Sequence, residues 1–158
     1  MLIGIPGSGK SSWLSEQEKV ILDGGVYLKI NDIFFHVICP DEIRKRKGNI
    51  SDQSLNSMIW QEAKDETIGC LVHGTNVLLD ATNVNTFYRN SFISGLQCKL
   101  WAKLFPIEPQ DAFKRIKEAL DSKIDRATVP EEVVYRMYGE YLYSIKTLIS
   151  EGFKIKTF

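Results

Sequence analysis

The stretch Leu2-Ile3-Gly4-Ile5-Pro6-Gly7-Ser8-Gly9-Lys10-Ser11-Ser12 decides how this chain is read. Gly4 to Ser11 fit G-x-x-x-x-G-K-[ST], the phosphate-binding P-loop, directly behind a short apolar run that reads as a strand. Glycines are needed there because successive N–H groups must converge on phosphate oxygens, which leaves no room for Cβ atoms. The pattern makes Gly7, Ser8, Gly9, Lys10, Ser11 and Ser12 the expected nucleotide-binding residues. Lys10 is placed to reach the β/γ-phosphates of ATP, and Ser11 opens the following helix, where its hydroxyl can ligate Mg²⁺.

Working outward, the 158 residues fit one domain by length, and no repeat, low-complexity tract or Pro/Ser-rich linker interrupts them. Twenty Lys and Arg balance twenty Asp and Glu, so there is no global basic field, although a local basic stripe is what a narrow nucleic-acid groove needs. The N-terminus lacks the features of a signal peptide, and no apolar run approaches the ~18–20 residues of a membrane span. A cytoplasmic protein without membrane contact is expected. Cys39, Cys70 and Cys98 fit neither a disulfide framework nor a metal site and are expected to be buried thiols. His36 and His73 lack ligand spacing and are expected to be structural or surface residues.

The pattern predicts a strand over 2–5, a helix from Ser11 to about Leu22 stopped by Asp23-Gly24-Gly25, and strand-like runs over 26–30 and 34–39. Those two runs, with Asn31-Asp32 between them, can be a hairpin or one bulged strand. Pro40 to Lys47 begins as a strand end and turns into a short helix, and 51–73 reads as a long amphipathic helix ended by Gly74. A strand over 76–80, a helix to about Leu96, a strand over 99–105, helices over 110–120 and 131–150, and a last strand near 153–158 complete the pattern. Strands that are short and apolar on both faces, alternating with helices, imply an α/β P-loop NTPase: a parallel sheet sandwiched by helices. Ligands in such sheets sit at the carboxyl ends of strands, which draws attention to Lys10, Asp41, Arg44, Asp80 and Asn83.

Gly7-Ser8-Gly9-Lys10-Ser11-Ser12-Trp13, Asp41-x-x-Arg44, Asp80-Ala81-Thr82-Asn83 and a lid-like segment before Val129-Pro130 together resemble the kinase domain of phage-type polynucleotide kinase and its P-loop kinase relatives. The resemblance spans essentially the whole chain. It implies transfer of the γ-phosphoryl of ATP to the 5′-hydroxyl of DNA or RNA. Asp41 would be the general base, Arg44 would hold the acceptor phosphate beside the reacting sugar, and Asp80 would support the metal and the acceptor site. Arg126 would be the lid arginine on the donor phosphates, with Arg115 and Lys123 competing for that role. The family's phosphatase domain has no counterpart in this sequence.

Each of these residues also has a plainer reading. Asp41 follows Pro40 and can be a helix cap, while Asp80 can cap the next segment, although an acid ending an apolar strand in a P-loop protein commonly supports Mg²⁺ through water. Lys45, Arg46 and Lys47 can be a solvated face or can track a nucleic-acid backbone. Val134, Met137, Tyr138, Tyr141, Leu142, Ile145 and Leu148 have helical spacing and are expected in the core, which argues against a base-stacking role for the tyrosines. The leading expectation is an ATP- and Mg²⁺-dependent polynucleotide 5′-hydroxyl kinase. Its rivals are a small-molecule or nucleoside kinase on the same scaffold and a non-catalytic ATP-binding regulatory module.

Overall fold

A computed structural model describes residues 1–48, 54–122 and 129–157. The chain runs β1 (Leu2–Ile3), α1 (Lys10–Ser15), β2 (Glu18–Leu22), β3 (Gly25–Ile30), β4 (Ile33–Ile38), α2 (Pro40–Arg46) and α3 (Asn56–Val72). It continues through β5 (Asn76–Leu79), α4 (Thr86–Ile93), β6 (Leu100–Leu104), α5 (Pro109–Asp121), α6 (Glu131–Thr147) and β7 (Phe153–Ile155). This is the α/β architecture that the alternation of elements implies, a parallel sheet flanked by helices. β1, β6 and β7 pair in parallel, as do β4 and β5. The two parallel groups meet where the Gly4 N–H donates to the Thr82 carbonyl at 3.0 Å.

One expected helix is replaced. Instead of running to Leu22, α1 stops at Ser15, and 18–22 forms an antiparallel strand against β3. The Ser15 hydroxyl and the Gln17 amide take the carbonyls of Ser12 and Trp13 at 2.6 and 2.7 Å, which closes the helix end. Asp23-Gly24 is then a two-residue hairpin turn with both φ angles positive, at 49° and 80°, not a helix stop. Asn31-Asp32 makes a second turn of this kind, with φ of 47° and 61°, so the 26–39 region is a hairpin and not one bulged strand. The sheet therefore carries an antiparallel β2–β3–β4 meander beside its parallel strands.

Leu2 and Ile3 are both fully buried, as β1 requires when both faces are covered. On one face Ile3, Ile5 and Ala102 pack with Ala112 and Ile116 of α5, with Val134 and Tyr141 of α6 and with its C-cap Leu148. On the other, Leu2, Leu28, Phe35 and Leu78 pack with Trp13 and Leu14 of α1. α3 buries only Ile59, Ala63 and Thr67, a narrow stripe that holds Ile38 and Leu79 with Ile43 of α2, and Met58 is exposed. Two further expectations are corrected by burial. Leu142 of α6 is exposed rather than core, and Cys98 is an exposed thiol while Cys39 and Cys70 are half-buried. No helix among the described residues is long and apolar enough to cross a membrane.

Candidate active site

The P-loop lies between β1 and α1, and its shape explains its glycines. Gly7 has φ +80°, and a Cβ there would sit on the backbone of Ala112 in α5. Gly9 has φ +94° and forms the left-handed N-cap of α1. Lys10 is buried, contrary to the exposed loop position that the motif alone suggests, and Ser11 and Ser12 are exposed. The Lys10 ammonium donates to the Gly4 and Ile5 carbonyls at 2.8 and 3.1 Å and to the Ser8 hydroxyl at 3.4 Å. These bonds aim the ammonium across the loop, where a cation and converging N–H groups suit phosphate oxygens.

Two strand ends face this loop. β4 ends at Ile38 and is followed by Cys39, and Pro40 occupies the first turn of α2, which fixes the helix start and puts Asp41 at its exposed rim. The N-cap of α2 is Cys39, which makes no side-chain capping hydrogen bond, so Asp41 is not the cap. Its carboxylate instead accepts from Arg44 Nη1 one turn on. Arg44 is buried, and its Nη2 donates to Asn56 Oδ1 at 2.7 Å.

Asp80 follows β5, and its backbone N–H is held by the Ile38 carbonyl of β4 at 2.9 Å. Burial raises the pKa of its carboxyl above the ordinary aspartate value. Lys10 opposes that shift, Asp41 adds to it, and a hydrogen bond from the Cys39 thiol pulls it down. Lys10, Asp41 and Asp80 thus lie within electrostatic reach of one another, a perturbed carboxylate between a cation and a second acid. The Cys39 thiol is pushed up to about 11 by burial, then by Asp80.

Asn83 plays a different part from the one its place at the end of a strand suggests. It has φ +51°, and its amide donates to the Leu2 carbonyl at 2.7 Å, so it splices the post-β5 segment onto β1. Arg89 of α4 donates to the Asn83 carbonyl at 2.7 Å and forms a buried ion pair with Glu151 at 2.6 Å, a brace that sequence spacing does not reveal. Among the lid candidates, Arg115 of α5 stands beside the P-loop: its Nη1 lies 3.8 Å from where a Cβ on Gly9 would be. Lys123 and Arg126 lie outside the described residues. In the basic run, Lys47 pairs with Glu62 of α3 at 2.8 Å and Arg46 approaches the same carboxylate at 4.0 Å, which offsets part of the stripe's charge.

The described residues hold no cluster of three or more His, Cys, Asp or Glu suited to a metal ion. That donor set still fits Mg²⁺, which keeps most of its waters and takes one or two protein oxygens plus phosphates. The exposed Ser11 hydroxyl and the Asp80 carboxylate are of that kind. A cavity of about 390 Å³ lies elsewhere, at the amino ends of the strands among Met1, Leu71, Val77 and Trp101, and holds none of these groups.

With this arrangement in view, the comparison with known proteins is direct: residues 1–141 match the AAA domain family model AAA_33. The chain belongs to that family. Its fold is also similar to that of a chain in a structure described as the Pnkp1/Rnl/Hen1 RNA repair complex, with a TM-score of 0.72 and 18% sequence identity. That likeness covers 92% of this chain and 44% of the other, so this chain spans less than half of its neighbour's length. No curated protein matches the sequence. The architecture is that of a P-loop kinase-like, nucleotide-binding domain.

Proposed function

We propose that this AAA-family domain is a kinase that transfers the γ-phosphoryl of ATP to the 5′-hydroxyl of a polynucleotide. The observation that carries the reading is the convergence of Lys10, Asp80 and the Asp41–Arg44 pair at the carboxyl ends of β1, β5 and β4. Phosphoryl transfer needs little covalent chemistry from the protein, so positioning and charge must supply the rate. Gly7 to Ser12 and Lys10 hold the donor phosphates, and Arg115 or Arg126 supplies a second cation over them. Mg²⁺, held by Ser11 and Asp80, would neutralise charge on the donor oxygens. Asp41, on the exposed rim, accepts the proton of the attacking hydroxyl, and Arg44 binds the phosphate next to the reacting sugar. A hydrolase would need no second cation beside an acceptor base, so the Asp41–Arg44 pair supports a phosphate-bearing acceptor over water. The repair complex named by the structural neighbour supports a nucleic-acid acceptor on the same side of the choice.

Asp41→Asn tests the assignment. The variant is expected to lower kcat by ~10²-fold or more while ATP affinity is retained, the scale of a lost general base. Its melting temperature should fall only modestly, because the asparagine keeps an acceptor oxygen for Arg44 Nη1 although the buried guanidinium loses its counter-charge. An unchanged rate with a lower melting temperature would contradict the role.

A further inference from the structure

Arg44 carries a pattern that neither the motif nor the role given to it accounts for. Its side chain is only 6% exposed, and its planar fork is divided between two elements. Nη1 donates to Asp41 within α2, Nη2 donates at 2.7 Å to Oδ1 of Asn56, the first residue of α3, and Nε is buried without an acceptor among the described residues. A guanidinium has five N–H donors in a rigid plane, so fixing one nitrogen fixes where the others point. A buried donor without an acceptor is costly, and that cost disappears when an anion with several acceptor oxygens arrives. Asp41, the charged partner, is the exposed one and can be displaced from Nη1 by a competing anion. Asn56, neutral and half-buried, lies on a different helix and does not compete for the incoming charge.

We propose that Asn56 is the positioning residue of an acceptor clamp: its Oδ1 holds Arg44 Nη2 as a pivot while a phosphodiester replaces Asp41 on Nη1, releasing the Asp41 carboxylate to face the acceptor hydroxyl. The proposal rests on the polynucleotide reading and deepens it, because it makes the base available only when an acceptor carrying a phosphate is bound. Before binding, the Asp41 carboxylate is engaged by Arg44 Nη1, so that oxygen is occupied and not turned to an acceptor hydroxyl. After the exchange, the arginine's charge is met by the substrate.

The test is steady-state kinetics of the full chain with ATP and Mg²⁺, using a 5′-hydroxyl oligonucleotide and a plain nucleoside as acceptors. Asn56→Leu, close in volume but without an acceptor atom, is expected to raise KM for the oligonucleotide by about 10-fold, the scale of one hydrogen bond to a charged group. kcat at saturating oligonucleotide should stay within about twofold, as should KM for ATP. Asn56→Gln, which keeps a neutral amide oxygen, should recover most of the loss. Should the leucine variant fail to fold, Asn56→Ala carries the same expectation. An oligonucleotide KM unchanged in a folded variant, or an equal fall in kcat on both acceptors, would overturn the role of Asn56 alone. A wild-type protein that transfers nothing to the oligonucleotide would overturn the polynucleotide reading, and this proposal with it.

Discussion

Asp80 shows how the site is held at a cost to the fold. Its carboxyl lies above the ordinary aspartate pKa because it is buried, with Asp41 adding to the effect and Lys10 and the Cys39 thiol only partly opposing it. The folded state therefore binds this proton more tightly than the unfolded chain does. The resulting stability is fully present below the unfolded value near ~3.9 and is lost as pH rises through the folded value. Asp80→Asn should accordingly raise the melting temperature of the nucleotide- and Mg²⁺-free protein at pH 7, by more than it does at pH 5. Melts of both proteins at the two pH values check this, and an equal drop at both would contradict it. The P-loop residues were legible because the motif is local: seven or eight consecutive residues determine where the N–H groups point. The Asn56–Arg44 bond was not, because it joins residues of two helices through side chains, and an asparagine at a helix start reads as an ordinary cap.

At the scale of elements, the hairpin β2–β3 is the main departure from the sequence reading. Leu14, Val20, Ile21 and Leu22 are compatible with a helix, and Asp-Gly-Gly serves equally as a helix stop or a hairpin turn. Pairing with β3 decides between them, and periodicity within 11–22 contains no information about that partner. The helices α2, α5 and α6 were legible because Pro40, Pro109 and Pro130 mark their starts. The brace between α4 and the turn after α6 was not legible, since Arg89 and Glu151 are far apart in sequence. Burial pushes the Glu151 carboxyl up, but its hydrogen bonds with Arg89 and Thr147 outweigh that and leave it below the ordinary value. Its stabilising contribution is thus present above the unfolded pKa and is lost as pH falls through the folded one. Glu151→Gln should reduce unfolding stability by about 3 kcal/mol at neutral pH, because it leaves the fully buried Arg89 cation without its counter-charge. Replacing both partners by apolar residues, Arg89→Met with Glu151→Leu, should recover part of the loss. Urea unfolding measures each variant, and a loss below about 1 kcal/mol for the single change would remove the brace as a stabilising element.

At the scale of the whole molecule, the sheet brings three separate strand ends to one rim: β1 delivers Lys10 through the P-loop, β4 delivers Asp41 and Arg44, and β5 delivers Asp80. The α/β class was legible from the alternation of short apolar strands with helices, whereas the two-part sheet with its antiparallel meander follows from pairings that no local pattern specifies. A net charge of zero gives no global field for a polyanion, so on the proposed reading the acceptor is recognised by local groups, Arg44 and a basic run partly offset by Glu62. On that reading these groups serve transfer to an acceptor that bears a phosphate beside its hydroxyl. The most direct measurement follows label from the γ-phosphate of ATP, with Mg²⁺, into a 5′-hydroxyl oligonucleotide, a plain nucleoside and water offered in parallel. Label on the oligonucleotide 5′ end, with kcat/KM at least about 10-fold above that for the nucleoside and little free phosphate, is the predicted result. Equal efficiency on the nucleoside, or release of phosphate to water alone, would contradict it.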